Sequence, residues 1–379
     1  MTANDLPGLR PAWAEVDLDA VRANTRALVE LAKPAALLAV VKADGYGHGA
    51  EPVARAVLDA GAAWLGVALV EEGMKLRNAG IDAPILLLSE PPHAAADAVV
   101  AHDLTPTVYT PVGIEALAKA VAAAGVPEPL RVHLKVDTGM HRVGCAAEHA
   151  RELVDAIAAQ PELELGGVCT HLAVADEPDN SYTAEQLDRF EALLRELDAR
   201  GVRPPLVHAA NSAGVLAHPR ARYDLVRVGI ALYGVPPAPE LAGRLPLRPA
   251  LSLRARVAYV KELLPGSRVS YGLRYEIARP ARVATVPIGY ADGVPRNLGI
   301  AGGEVLVRGR RARIAGTVTM DQLMVDAGDT DVQVGDEVVL LGAQGDDEIT
   351  AGEWAEHLGT IAYEIVTGIG TRVPRRYVG

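Results

Sequence analysis

The sequence predicts an α/β fold in which an N-terminal (β/α)8 barrel of the TIM type is followed by a mainly β C-terminal domain. Two observations carry this reading. Eight short apolar runs alternate with segments of helical period between Leu37 and Ile230. Past the proline-rich stretch GVPPAPELAGRLPLRP the texture changes to alternating apolar and polar residues broken by glycine-bearing turns. The boundary falls at residues 1–242 and 243–379, with residues 1–12 free to pack on the second domain.

The eight runs are LLAVV (Leu37 to Val41), WLGVAL (Trp64 to Leu69), ILLL (Ile85 to Leu88), TPTVY (Thr105 to Tyr109), RVHLKVD (Arg131 to Asp137), LGGVCTH (Leu165 to His171), LVHAA (Leu206 to Ala210) and LVRVGI (Leu225 to Ile230). Eight such runs alternating with helices over about 230 residues fit a closed barrel better than a six-strand open sheet. The clearest helix between them begins at Thr183. It carries a capping box in Thr183 and Gln186, apolar residues at Leu187, Phe190, Leu194 and Leu197, and a stop at Gly201. No G-x-G-x-x-G follows the first run, which argues against a dinucleotide-binding open sheet.

In the second domain Leu251, Leu253, Val257 and Tyr259 alternate with Ser252, Arg254 and Arg256. The runs RVATVPI, EVLVRGRRARIAG and DEVVLLG follow. A short helix opens at TAGEWAEHL, with Thr350 and Glu353 as its capping box.

Composition narrows the function. The chain has 379 residues, 50% of them apolar, enough for a large core. A net charge of −11 with no block of like charges disfavours nucleic acid and anionic membrane as partners. The two cysteines, Cys145 and Cys169, build neither a disulfide framework nor a four-ligand zinc site. The N-terminus has no secretory pattern, and the run from Pro34 to Val41 is too short to span a bilayer, so a cytoplasmic setting is expected.

In a barrel of this type chemistry sits at the C-terminal ends of the strands. The first run ends in Lys42, followed by Ala43-Asp44-Gly45-Tyr46-Gly47-His48-Gly49. A lysine closing an apolar strand is buried, neutralised or covalently used, or its chain snorkels to the rim. A Schiff base with an aldehyde cofactor is one such use. The seventh run leads into Asn211-Ser212-Ala213-Gly214 and the eighth ends in Arg227-Val228-Gly229-Ile230, the two loops that commonly hold phosphate. On the fifth run Lys135 shares a face with His133 and Asp137 while Val132, Leu134 and Val136 take the other, so Lys135 points into the barrel. It is either modified there or paired with Asp137.

The stretch AVVKADGYGHG resembles the cofactor-lysine motif of bacterial alanine racemases. The resemblance continues through HLKVDTGMHRVG, THLAVAD, HAANSAG and RVGIALYG, then RVSYGLRY, VPIGYADG, GTVTMDQ and YEIVTGIGTRVPRRY. It runs from Val16 nearly to Tyr377. It implies pyridoxal 5'-phosphate (PLP) bound in the barrel and a head-to-tail homodimer with shared active sites.

By that resemblance Lys42 would hold the cofactor as a Schiff base. Tyr46, Ser212, Gly229, Ile230 and Tyr363 would hold its phosphate, with Asn211 also among the cofactor-binding residues. His171 would lie by the ring and link Arg227 to the catalytic Tyr271, supplied by the partner subunit. Arg142 and the Met320 amide would receive the carboxylate of alanine, Tyr290 would line the entrance, and Lys135 matches a position often carbamylated. Two bases on opposite faces, Lys42 and Tyr271, would invert the α-carbon. The D-alanine formed would supply peptidoglycan.

This sequence departs from the usual pattern at His141, where glycine is common, and at Thr319, where cysteine is common. Both flank carboxylate-binding positions and bear on substrate preference. The alternatives are a racemase of broader range, acting on serine or basic amino acids, and a fold-related PLP decarboxylase. A PLP-carrier protein would lack the second domain. A metal-dependent hydrolase would need a histidine pattern that His48, His133, His171 and His208 do not form, so no metal site is expected.

Overall fold

The computed structural model describes residues 10–379, so the expectation for residues 1–12 falls mostly outside the described residues. The chain divides into two compact units. One holds Val21–Gly45 and Ala50–Leu247; the other holds the described residues through Ala20, Tyr46–Gly49 and Arg248–Gly379. Among the described residues no helix is long and apolar enough to cross a membrane.

Strand β1 spans Ala12–Asp17 and belongs to the second of these units. The barrel strands are β2 (Ala36–Val40), β3 (Trp64–Val67), β4 (Ile85–Leu87), β5 (Thr107–Val108) and β6 (Leu130–Asp137), the short β7 (Cys145–Ala146), then β8 (Leu163–Cys169), β9 (Leu206–His208) and β10 (Leu225–Val228). They pair in parallel in the orders β10-β2-β3-β4 and β5-β6-β8-β9, with β7 appended to β6. A parallel bridge from Leu86 to Thr105 joins β4 to β5. Across the other seam Arg227 N donates to Ala210 O at 2.9 Å and Asp224 N to Val207 O at 3.0 Å. The eight runs therefore close into a barrel.

Parallel strands are covered on both faces, and the sequence shows it: Leu37, Leu38, Ala39 and Val40 are all buried. Each such aliphatic side chain contributes about 1.5–3 kcal/mol by leaving water. The fourth run is strand only at Thr107 and Val108, because Pro106 has no N–H for the ladder. The eighth stops at Val228, where Gly229 (φ −115°, ψ −98°) turns the chain into a 3-10 turn, Ile230–Tyr233.

Helix Tyr182–Ala199 corrects two details. Its N-cap is Ser181 and no capping box forms. Gln186 is fully buried and its carboxamide leaves the helix for other partners. Leu193, not Leu194, is the buried residue between Phe190 and Leu197. The helix does end at Gly201, which takes a left-handed conformation (φ 78°).

The second unit is built on a largely antiparallel sheet. Its strands run in the order Tyr259–Leu263, Ala281–Val286, Leu323–Gly328, Arg310–Ile314, Glu304–Val307, Glu337–Gln344, Leu251–Arg256, β1 and Arg375–Val378. β1 pairs antiparallel with Leu251–Arg256 and parallel with Arg375–Val378. The expected alternation holds for Leu251, Leu253 and Ala255, which face the core. It continues to Val257, which is buried although the strand ends at Arg256, and breaks after it, so Tyr259 begins a new strand and is exposed. Helix Ala351–Leu358 is capped by the Thr350 hydroxyl, which accepts from Glu353 N, while the Glu353 carboxylate turns outward to Arg311. Trp354 anchors this helix in the core.

Candidate functional site

In the barrel unit the site begins where β2 ends. After Lys42 the backbone makes a left-handed turn, with Ala43 (φ 51°, ψ 51°), Asp44 (φ 52°, ψ 49°) and Gly45 (φ 61°, ψ 44°) in succession. This conformation costs L-residues roughly 1–2 kcal/mol each. Specific bonds offset the cost. Gly45 N donates to Val41 O at 2.9 Å, Ala43 N to Glu72 Oε1 at 2.6 Å, and Ala50 N to Asp44 Oδ1 at 2.9 Å. The other Glu72 oxygen accepts from Ala68 N and Leu69 N, so one carboxylate ties the ends of two barrel strands together. Lys42 is thereby fixed in a half-buried position. Burial lowers its pKa, the Arg142 cation lowers it further, and Glu72 opposes both.

Lys135 on β6 points into the barrel, 7% exposed, and Nζ donates to Leu88 O at 3.1 Å. Burial first, then the Arg227, Arg142 and Lys42 cations, hold its pKa down to about 8. The alternative pairing with Asp137 does not form. Asp137 Oδ1 instead accepts from the amides of Gly139, Met140 and His141 at 2.9, 2.9 and 3.1 Å. It thus shapes the loop that carries Arg142, whose guanidinium has no hydrogen bond or ion pair among the described residues. His141, at φ 56°, sets its Nδ1 3.5 Å from Asp137 Oδ2.

Arg227 on β10 is buried and, among the described residues, meets only neutral acceptors. Nη1 donates to His208 Nδ1 at 2.7 Å; Nη2 donates to Thr170 O at 2.7 Å, Ala209 O at 3.0 Å and His171 Nδ1 at 3.1 Å. Burial holds the His171 pKa well below its ordinary value, and Arg227 adds to the effect, so the ring is neutral. Burial also raises the Cys169 thiol, leaving no thiolate beside Arg227. Among the described residues no carboxylate pairs with Lys135, Arg142 or Arg227. The barrel mouth is an uncompensated cluster of cations, suited to an anion.

The loops after β9 and β10 meet at Ser212. Its Oγ accepts from Gly229 N at 2.9 Å and Ala231 N at 3.4 Å, which leaves its own O–H to donate. Asn211 caps the helix Ser212–Ala217 by accepting from Gly214 N at 2.9 Å. Gly229 and Ile230 form the facing turn. The structure thus brings together Lys42, Lys135, His171, Arg227 and Ser212 with the Gly229 turn on one end of the barrel.

The second unit carries the remaining residues. Tyr46 is buried, lies 6.3 Å ring to ring from Tyr363, and burial pushes its pKa up to about 12, so it keeps its proton. Tyr271 is 71% exposed on a turn pinned by Thr317, whose Oγ1 donates to Tyr271 O at 2.9 Å. Tyr271, Tyr290, Arg296, Thr319 and Met320 line a cleft of about 600 Å³. Its floor needs Gly289, where a Cβ would sit 2.3 Å from Thr319 O and 2.4 Å from Met320 O. Tyr290 N and Ala291 N donate to those two carbonyls. The Met320 amide has no acceptor among the described residues. Thr319 turns its hydroxyl onto Gln322 O at 2.8 Å.

The sequence reading missed several contributors. Gln186 accepts from Ala173 N at 2.8 Å and donates to His171 O at 3.0 Å, holding the segment that presents His171. Glu72 ties down the turn after Lys42, and His208 and His133 stand behind Arg227. Alternation along the fifth run pointed to His133, which shares the Lys135 face; nothing local marks the others.

Residues 16–237 match the alanine racemase N-terminal domain and residues 250–377 the alanine racemase C-terminal domain. The chain is 54% identical over 376 residues to the alanine racemase of Symbiobacterium thermophilum, covering 99% of each. The alanine racemase structure from Streptomyces lavendulae superposes with a TM-score of 0.93 at 46% identity, covering 98% of both chains. That from Bacillus anthracis, with bound L-Ala-P, superposes at 0.91 and 41% identity, covering 99% of this chain and 96% of that one. The chain belongs to the alanine racemase family of isomerases.

Proposed function

We propose that the cationic barrel mouth binds PLP and that the chain uses it to interconvert L- and D-alanine. The observation that carries this reading is Lys42, a half-buried lysine of lowered pKa held by a strained turn beside Lys135, Arg142 and Arg227, cations that no carboxylate pairs among the described residues. PLP fits that donor set: its aldehyde condenses with a neutral amine, and its phosphate needs cationic and hydroxyl donors. Bound there, PLP supplies an electron sink that acidifies the α-hydrogen of an amino acid.

The chain's own residues then divide the work. Lys42 holds the cofactor and moves the proton on the D face. Ser212, the Gly229–Ile230 turn, Tyr46 and Tyr363 hold the phosphate, with Asn211 shaping the Ser212 turn. Arg142 and the Met320 amide receive the substrate carboxylate, and Tyr290 lines the way in. Tyr271 of the partner subunit moves the proton on the L face, with His171 as its link to Arg227. The exposure of Tyr271 and Met320 on one cleft supports a second copy of the chain as the natural cover.

Arg227 would be the residue beside the cofactor ring nitrogen in this reading. Because a guanidinium gives up its proton only with great difficulty, a nitrogen held by it would stay unprotonated, which would favour reprotonation of the α-carbon over decarboxylation or transamination. Lys135, with its pKa near 8, offers a neutral amine to carbon dioxide; the product is a carbamate anion beside Arg142 plus a released proton. Carbon-13 bicarbonate gives a carbamate NMR signal that Lys135→Arg abolishes. A homodimer in the cytoplasm supplying D-alanine to peptidoglycan completes the proposal.

Borohydride reduction of the PLP-loaded protein tests the reading directly. A stable adduct on the Lys42 peptide, absent in Lys42→Ala, is expected. An adduct on another lysine, or none, overturns it.

A further inference from the structure

Behind Arg227 a chain of buried imidazoles runs back into the barrel. Arg227 Nη1 meets His208 Nδ1 at 2.7 Å, and His208 Nε2 meets His133 Nδ1 at 2.8 Å. His208 and His133 are both essentially fully buried, and the barrel makes room for them. A Cβ on Gly167 would sit 2.8 Å from His133 Nδ1, and one on Gly166 would lie 3.5 Å from its Nε2. Trp64 closes the far side, its ring centroid 5.7 Å from that of His133.

The polarity of this chain is forced. A guanidinium only donates, so His208 Nδ1 accepts. A neutral His208 then carries its proton on Nε2 and donates to His133 Nδ1, which places the His133 proton on Nε2. Both rings are neutral: burial lowers His133 to about 4 and His208 well below its usual range, with the Arg227 charge reinforcing each.

We propose that His208 and His133 are positioning residues that hold the Arg227 guanidinium in one orientation through a one-way hydrogen-bond relay, and so set its contact with the cofactor ring. This deepens the PLP racemase reading and rests on it. Among the described residues Arg227 has no carboxylate to fix it, so its direction depends on neutral acceptors. Two of these are backbone carbonyls and one is His171 at the longer distance of 3.1 Å. His208 is the closest side-chain acceptor and the sole partner of Nη1 among the described residues. His133 removes the alternative in which His208 flips and offers an N–H to the cation.

Two measurements on the PLP-loaded holoenzyme test this. Nitrogen-15 NMR of the imidazoles is expected to show unprotonated Nδ1 and protonated Nε2 in both His208 and His133; the opposite tautomer in either overturns the relay. Among variants, His208→Asn keeps an acceptor near the Nδ1 position, whereas His208→Leu removes it. The Leu variant is expected to lose about tenfold in kcat with little change in KM, and to release more pyruvate from alanine by transamination. Asn should restore most of both. Equal loss in the two variants, or no rise in pyruvate for Leu, overturns the proposal. Wild-type racemisation tests the underlying reading separately, and the tautomers are read without turnover.

Discussion

Arg227 donates to His171 Nδ1 at 3.1 Å, so the imidazole must carry its proton on Nε2 and present an N–H away from the arginine. The groups that Arg227 meets are all acceptors, so the position suits a cation and not an anion. Arg227→Glu should set a carboxylate among carbonyl oxygens and lower racemisation about 100-fold or more. Pyruvate formation should rise as the ring nitrogen gains a proton. Parallel assays of D-alanine and pyruvate check this, and a variant that changes neither removes Arg227 from the account.

Gln186 and Thr183 share a helix and behave oppositely. The Gln186 carboxamide satisfies Ala173 N and His171 O, so Gln186→Leu should cost about 2–3 kcal/mol and loosen the His171 segment. Thr183 Oγ1 is buried without a partner among the described residues, so Thr183→Val should be neutral or stabilising by up to about 1 kcal/mol. Urea unfolding of the two variants decides it; a larger loss for Thr183→Val contradicts the assignment.

Acid should unfold the protein through its buried histidines. In the folded state His133 stays neutral down to about pH 4, whereas an unfolded imidazole takes a proton near 6.5. Below pH 6.5 the unfolded chain therefore binds more protons, and stability falls as pH drops through that window, by about 3 kcal/mol for His133 alone. His208 and His171 add in the same direction. A His133→Leu variant should lose less stability than wild type between pH 6.5 and 4. Parallel slopes for the two proteins would falsify this.

The turn after Lys42 holds Ala43 in left-handed geometry. Ala43→Gly should relieve that strain and stabilise the protein by roughly 0.5–1 kcal/mol, net of the greater freedom of glycine when unfolded. Thermal melts of the cofactor-free protein measure it, and a lower Tm would show that the Ala43 methyl contributes more than its backbone costs.

The barrel was legible because parallel strands buried on both faces write themselves as unbroken apolar runs, as at Leu37 to Val41. Its chemistry was partly legible for the same reason: Lys42 and Lys135 stand out against apolar neighbours. The Thr183–Gln186 pair misled because a capping box and a buried carboxamide look alike at that spacing; tertiary partners on Ala173 and His171 decided the outcome. His208 and Glu72 were silent because their roles depend on residues far away in the chain, on β10 and at Ala43. Short-range pattern carries no signal for such pairs.

The most direct test of the central claim is chiral analysis of the PLP-loaded protein given L-alanine, with L-serine and L-lysine in parallel. The account predicts that D-alanine accumulates toward an equal mixture while the other two lag. If alanine stays in the L form although the cofactor is bound through Lys42, the two-base account is contradicted.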